Sequence, residues 1–443
     1  MEFQYKNVLI WGYGISGRAV EKILVNKGCN YVILDERIKI DGGNYISKIS
    51  KKNIRLFDLI VLSPGVDINK KEIVFAESIG IDVISEVEFG YMFLPPTTKV
   101  IAVTGTNGKT TAVELMYNLL KLAGKTVVEL GNIGNPFSEV YGKNYEYVVA
   151  ELSSFQLQKL KHFKADISVL LNIAPDHIDR HKTFENYIDA KLNIFNNQTK
   201  NDYAILNADD DIVKDLKISN VNRLYFSSNG EKVKYSICDN CIKKQNKKVL
   251  CLDDYKLSEV FLSDVLACFV ICDILSIDTE VFCKLLNSYK FLPHRYEYVA
   301  KSNNVVYIND SKATNVHATN YALKKTKSNN VMLLLGGRNK DLDFKEIFNN
   351  HNNKIRKVIA FGECRKKIFS YRKKYKEIEF VMLKNLKTVM DEIHKYLTDI
   401  EVVLLSPACA SFDEFSSYME RGDYFKKCIK NKRIENEKKE SKD

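Results

Sequence analysis

Gly105-Thr106-Asn107-Gly108-Lys109-Thr110-Thr111 is the stretch whose reading decides the fold. It follows the apolar run 99–104 and precedes a helical pattern at 112–122. A glycine-rich turn between a strand and a helix presents backbone N–H groups and a helix N-terminus to phosphate oxygens. Lys109 adds a mobile positive charge, and the hydroxyl of Thr110 suits a magnesium ion. The stretch therefore predicts a site for the phosphates of ATP. The full pattern G-x-x-x-x-G-K-[ST] is not met, because Val103 stands at its first glycine. The plain alternative is a glycine-rich turn with a surface lysine.

The chain has 443 residues, 45% of them hydrophobic, which implies more than one domain with ordinary globular cores. Its net charge of +11 suits anionic small molecules, and suits nucleic acid as well. No basic stripe interleaved with aromatics is visible, so nucleic acid is not expected. Part of the charge is local: residues 426–443 hold eight Lys/Arg against four Asp/Glu, and read as a last helix with a solvated end. The short apolar run 8–11 is far below the length of a membrane span, and no signal peptide is read. Ten scattered cysteines suit reduced thiols in a cytoplasm. Cys238 and Cys241 form one C-x-x-C, with Cys251 further on. A β-hairpin turning at Asp239-Asn240 explains that spacing, and a metal or redox site is the alternative.

Strand–helix alternation divides the chain into blocks 1–95, 96–293 and 294–443, each predicted to be α/β with a largely parallel sheet. The first block carries Gly12-Tyr13-Gly14-Ile15-Ser16-Gly17 after the strand 5–11, and Asp35 at the end of the strand 31–34. That spacing fits a Rossmann dinucleotide site with Asp35 on a ribose hydroxyl. Alone it suggests a dehydrogenase, yet any nucleoside diphosphate derivative could use it. Ser63-Pro64-Gly65 is a second turn at a strand's carboxyl end.

In the second block, polar groups follow apolar runs: Asn132 after 127–130, Glu151 and Ser153 after 147–150, His177 after 167–171. Glu151 and Thr110 offer oxygen ligands to a hard cation, and His177 a nitrogen to a second. Singly, Glu151 could be a helix cap, His177 a loop residue and Lys191 an exposed helix lysine. The third block places Asn309-Asp310-Ser311-Lys312-Ala313-Thr314-Asn315, Gly336-Gly337-Arg338-Asn339-Lys340 and Ser406-Pro407-Ala408-Cys409-Ala410-Ser411-Phe412-Asp413 after strands 305–308, 331–334 and 402–405. Three strand ends again gather polar groups on one face, as a binding cleft requires.

Thr104-Gly105-Thr106-Asn107-Gly108-Lys109-Thr110-Thr111, with the clusters behind it, resembles the Mur ligase family, in particular its D-glutamate-adding branch. The resemblance covers nearly the whole chain in order. It implies an α/β fold of three domains: a Rossmann-like N-terminal domain, a central mononucleotide-binding P-loop-type ATPase domain and a Rossmann-like C-terminal domain. It implies ATP-dependent addition of D-glutamate to UDP-N-acetylmuramoyl-L-alanine through an acyl phosphate, in cytoplasmic peptidoglycan synthesis, by a monomer. By that resemblance Ile15, Ser16, Asp35, Glu36, Arg37, Ser63, Gly65, Asn132 and Ser153 hold the UDP substrate. Gly105 to Thr111, Arg295 and Asp310 hold ATP. Thr110, Glu151 and His177 ligate magnesium, as two ions, joined by Lys191 as a carbamate. Lys109, Glu151, His177, Lys191 and Lys312 are the catalytic set, and Thr314, Lys340, Ser411, Phe412 and Tyr418 receive D-glutamate. One departure stands out. The family's H-N-x-x-N, which faces the nucleotide base, has no counterpart in the stretch 257–265. Weaker discrimination of ATP from GTP is therefore expected. The other readings are a different Mur-type or folylpolyglutamate ligase, a nucleotide-binding regulator with dead chemistry, and an NAD-dependent dehydrogenase. Asp310 to Asn315 argues against the first, the intact lysines, Glu151 and His177 against the second, and the second and third blocks against the last.

Overall fold

A computed structural model describes residues 3–38, 44–132, 134–230, 232–255, 257, 261–290, 292–338 and 343–440, with side chains in the last helix described to residue 431. It contains three α/β sheets. The first runs, in spatial order, Tyr45–Ile46, Asn30–Leu34, Asn7–Trp11, Leu59–Leu62 and Asp82–Ser85, all parallel. Its centre is apolar without alternation, since Val8, Leu9, Ile10 and Leu59 to Leu62 are all buried. Strands covered on both faces by helices have this pattern.

The second sheet has nine strands among the described residues: Lys247–Cys251, Cys241–Lys244, Tyr235–Cys238, Asn222–Ser227, Tyr203–Asn207, Ile167–Leu170, Lys99–Thr104, Tyr147–Glu151 and Val127–Gly131. It is parallel from Tyr235–Cys238 onward and antiparallel in the ribbon at its edge. The expected hairpin is there: Asp239 and Asn240 both take a left-handed φ of 53°, and Cys238 pairs with Cys241 across the turn. The expectation of reduced thiols throughout is corrected at one place. Cys241 and Cys251 face each other on adjacent antiparallel strands, with Cα atoms 4.1 Å apart, and are joined as a disulfide.

The third sheet runs Glu297–Ser302, Val305–Asn309, Val402–Leu405, Val331–Gly336, Ile355–Phe361 and Glu379–Met382. Only its first strand is antiparallel. The chain falls into two compact units: the first two sheets lie in one, which closes with Phe261–Tyr289, and the third lies in the other, with Lys290–Asp443. Among the described residues, no helix is long and apolar enough to cross a membrane.

Within the first unit, a clasp joins the first sheet to the second. Glu88, on the helix Glu86–Tyr91, is 1% exposed. Its carboxylate accepts the backbone N–H groups of Lys161 (3.0 Å), His162 (2.8 Å) and Phe163 (2.9 Å). Beside it, the buried Glu86 accepts from the N–H of Ser138 at 2.6 Å. Burial pushes the Glu86 carboxyl up, against the pull of its Ser138 hydrogen bonds.

Candidate active site

The strand Lys99–Thr104 is fully buried beyond its first residue, and the chain leaves its carboxyl end as the glycine-rich loop. Gly108 caps the helix Lys109–Leu122 with a left-handed φ of 94°, a conformation that favours glycine. The loop is held from below. Asn172 Oδ1 accepts the N–H of Asn107 at 2.8 Å, and Asn172 Nδ2 donates back to the Asn107 carbonyl at 2.9 Å. Thr106 Oγ1 donates to the Ala174 carbonyl and accepts the Ala174 N–H at 2.9 Å. The loop's shape is thus set by its neighbours, and the helix N-terminus behind it is aligned for an anion.

Two lysines converge on this loop. Lys109 Nζ donates to the carbonyls of Gly105 (2.9 Å) and Thr106 (3.1 Å). Lys191 Nζ donates to the Gly105 carbonyl at 2.7 Å. Lys191 is no exposed helix lysine: it is 1% exposed, on the helix Phe184–Leu192. Burial holds its ammonium well below the usual lysine range, and the nearby charge of Lys109 lowers it further.

The strand Tyr147–Glu151 lies beside Lys99–Thr104, with Glu151 paired to Val103 at the mouth of the loop. Glu151 is 2% exposed. Its Oε1 accepts from Asn132 Nδ2 at 2.9 Å, while Oε2 is buried without a hydrogen-bond partner. A buried carboxylate oxygen left unsatisfied is costly unless a cation or proton joins it. Thr110 stands half-buried in the first turn of the loop's helix. Among the described residues, no three His, Cys, Asp or Glu side chains converge as a ready cation cage. Ser153 Oγ donates to Gln156 Oε1 at 2.9 Å. His177 takes a left-handed φ of 54° and meets the Phe155 ring edge-on at 5.0 Å.

In the first sheet, Gly12 takes a φ of 92°, and a Cβ there would lie 2.8 Å from that of Ser63. The two turns therefore approach closely, and Ser63 Oγ donates to the Gly12 carbonyl at 2.8 Å. Gly14 caps the helix Ile15–Lys27, Ser16 lies in its first turn, and Ile15 is 71% exposed. Asp35, expected on a ribose hydroxyl, stands just beyond the strand Asn30–Leu34 and beside the glycine turn. Its carboxylate accepts the N–H groups of Tyr13 (2.7 Å), Arg37 (2.8 Å) and Ile38 (3.0 Å). Burial works against its charge, but these three donors outweigh it and hold the group below its ordinary value. Glu36 pairs with Lys70 at 2.7 Å, and the side chain of Arg37 is exposed. Gly65 has open space where a side chain would be.

In the second unit, Asp310 follows the strand Val305–Asn309 and is 5% exposed. Ser406 Oγ donates to its Oδ2 at 2.7 Å, and the Tyr296 N–H to its Oδ1 at 3.1 Å. Burial pushes its carboxyl up to about 7, outweighing these donors and the Arg295 charge. Arg421, unnoticed in the sequence, lies 1% exposed beneath this cluster. It donates to Ser311 Oγ (2.9 Å), the Ser311 carbonyl (2.8 Å) and the Cys409 carbonyl (3.0 Å). It thereby ties the 309–315 and 406–413 segments together. Lys312 Nζ lies 5.8 Å from the Tyr418 ring centre. Thr314 is half-buried, Ser411 buried and Phe412 62% exposed. Lys340 lies outside the described residues, as do residues 258–260 of the stretch that lacks H-N-x-x-N. Further along that stretch, Phe261 and Asp264 are buried.

The chain matches three domain families in order: the Mur ligase MurD-like N-terminal domain over residues 6–85, the Mur ligase middle domain over 103–263, and the Mur ligase glutamate ligase domain over 294–409. It is 35% identical to the UDP-N-acetylmuramoylalanine–D-glutamate ligase of Thermoanaerobacter sp. strain X514, over 97% of this chain and 99% of that one. It is 34% identical to the enzyme of that name from Koribacter versatilis strain Ellin345, over 99% and 100% of the two chains. Among solved structures, UDP-N-acetylmuramate-alanine ligase MurC of Thermotoga maritima superposes with a TM-score of 0.58 at 17% identity, covering 97% of this chain and 100% of that one. MurF ligase from the same organism, in complex with ADP, gives 0.57 at 17% identity, covering 97% and 96%. At these identities the structures speak for the fold: three α/β domains, each built on parallel strands.

Proposed function

The chain belongs to the Mur ligase family, and we propose on that premise that it joins D-glutamate to UDP-N-acetylmuramoyl-L-alanine at the expense of ATP, in peptidoglycan synthesis. The near-full-length likeness to D-glutamate ligases is the observation that carries this reading. Residues 1–95 would form a Rossmann-like domain for the UDP substrate, 96–293 a P-loop-type ATPase domain, and 294–443 a Rossmann-like domain for the amino acid. The reaction would run in the cytoplasm, on a monomer.

In this reading Ile15, Ser16, Ser63 and Gly65 receive the UDP group, and Asp35 acts by fixing the glycine turn, with Glu36 and Arg37 beside it. Asn132 and Ser153 hold the muramoyl part. The loop 105–111 cradles the phosphates of ATP, and Arg295 and Asp310 are assigned to ATP by the same reading. The alanyl carboxylate attacks the γ-phosphorus, and ADP leaves. The amine of D-glutamate attacks the acyl phosphate, and phosphate departs from the tetrahedral adduct as the amide forms. Lys109 offsets the charge that develops in the first step. Thr314, Ser411, Lys312 and Lys340 offer hydroxyl and cationic partners to the two glutamate carboxylates, framed by Phe412 and Tyr418.

The unsatisfied Glu151 Oε2 fits a divalent cation. Thr110, Glu151 and Lys191 as a carbamate would hold one magnesium ion, and His177 would serve a second. A carbamate forms from the uncharged amine, and burial shifts Lys191 in that direction. When bound, magnesium neutralises phosphate charge and aligns the γ-phosphoryl group.

The test is phosphate release and amide formation with UDP-N-acetylmuramoyl-L-alanine and a panel of amino acids. D-glutamate is expected to be accepted, and L-glutamate and D-alanine to fail. Product with another amino acid but none with D-glutamate would overturn the assignment.

A further inference from the structure

Arg180 lies three residues beyond His177, and its side chain leaves that loop to reach the first sheet. One terminal guanidinium nitrogen donates to two carbonyls, those of Pro64 and Val66, each at 2.6 Å. The guanidinium carbon sits 3.9 Å from the centre of the Phe155 ring. Phe155 stacks in turn on His181, with centroids 5.0 Å apart and planes 6° from parallel. His181 is locked by Ser154 Oγ, 2.9 Å from its Nε2. Burial holds the His181 imidazole down at about 4, so it stays neutral and adds no charge to the stack. Arg180, Phe155 and His181 thus form a column through three segments: the turn 63–66, the loop 152–156 and the loop 177–182.

We propose that Arg180 is a positioning residue for the UDP-muramoyl substrate: its planar side chain, stacked on Phe155, holds the Ser63-Pro64-Gly65 turn in register with the loops that carry Ser153 and His177. The inference rests on the ligase reading for the substrate's name, and on the column for the role. The two carbonyls lie on a turn assigned above to the UDP group, while Ser153 and His177 are assigned to the muramoyl part and the cation. A substrate spanning these loops is bound well only when their spacing is fixed beforehand. Arginine is suited to this because one terminal nitrogen reaches two carbonyls while its flat face stacks on a ring. A lysine at this position would keep the charge and lose the flat face that stacks on Phe155.

The test uses the full-length enzyme with Arg180→Met, Arg180→Lys, Phe155→Leu and the double variant Arg180→Met/Phe155→Leu. Arg180→Met should raise both the Kd of UDP-N-acetylmuramoyl-L-alanine, by calorimetry, and its KM about tenfold, with the KM values for ATP and D-glutamate within about twofold. Arg180→Lys should do no better than Arg180→Met. The double variant should be no worse than Arg180→Met, since both substitutions break one column. Recovery in Arg180→Lys would mean that charge alone matters, and would overturn the proposal. So would additive effects, or an equal rise in all three KM values. Should Arg180→Met fold poorly, the lysine variant and Phe155→Leu still decide between these outcomes. If the wild-type enzyme makes no amide from these substrates, the ligase reading falls. If it does and the variants show no selective loss, only the role of Arg180 falls.

Discussion

Lys191 Nζ donates to the carbonyl oxygen of Gly105 at 2.7 Å, so a helix amine 86 residues further along the chain touches the phosphate loop. Burial and the neighbouring Lys109 hold that amine well below the usual lysine range, which favours the uncharged form that reacts with carbon dioxide. With 13C-labelled bicarbonate, the protein should show one carbamate carbon resonance that Lys191→Ala lacks. Full activity in Lys191→Ala, or no such resonance in the wild type, would remove Lys191 from the cation site.

Lys109→Ala should leave the affinity for the UDP substrate nearly intact, because the turns assigned to it lie on the first sheet. Turnover should fall at least about a hundredfold, since a charge facing the phosphates is lost where negative charge develops. Calorimetry and initial rates on the same preparation separate the two. Near-normal turnover would take the loop 105–111 out of the mechanism.

Asp310 gives the second unit a pH dependence of known sign. Its carboxyl rises from 3.8 to about 7 through burial, so the folded chain keeps a proton that the unfolded chain releases. This contribution to stability is fully present below the unfolded value and is lost as pH rises through the folded one. Between pH of about 4 and 7 it should remove up to roughly 4 kcal/mol from the second unit. Calorimetric melts of the wild type and Asp310→Asn across that range should show a slope in the first that is missing in the second. Equal slopes would mean that Asp310 is ionised in the folded protein.

Glu88→Ala should destabilise the joint between the first two sheets by roughly 3 kcal/mol or more, because three backbone N–H groups lose their acceptor. Hydrogen exchange at residues 161–163 should quicken sharply, with little change in the strands of the third sheet. Unchanged protection at 161–163 would show that water replaces the carboxylate without loss.

The strand–loop–helix turn at 105–111 was legible because its evidence is local: glycines, lysine and threonines in one turn between a strand and a helix. The hairpin at Asp239-Asn240 was legible for the same reason, since both residues tolerate the left-handed backbone that the turn requires. The three runs of strand-end clusters also appear at the carboxyl ends of their strands. What escaped notice depends on distant partners. Glu88 looks like one more polar position on a helix until residues 161–163 arrive 73 to 75 positions later. Arg421 sits in a charged helical stretch, and only the fold brings Ser311 and Cys409 to it. Arg180 stands three residues after His177, but its carbonyl partners lie more than a hundred residues upstream. Asp35 was found by spacing, yet spacing could not tell a ligand contact from a clamp on the glycine turn.

The Glu88 clasp addresses main-chain amides, and every residue except proline carries the same amide. The clasp itself is therefore blind to the side chains of Lys161 and His162, but Lys161 also pairs through its ammonium with Asp82 of the first sheet, so only position 162 can drift without loosening the joint. Phe163 has less freedom, because its own ring is buried in the core. The constraint falls on one acidic position, Glu88, and on keeping proline out of 161–163. A library randomised at 162 should consequently return nearly every residue but proline, while one randomised at 88 should return few.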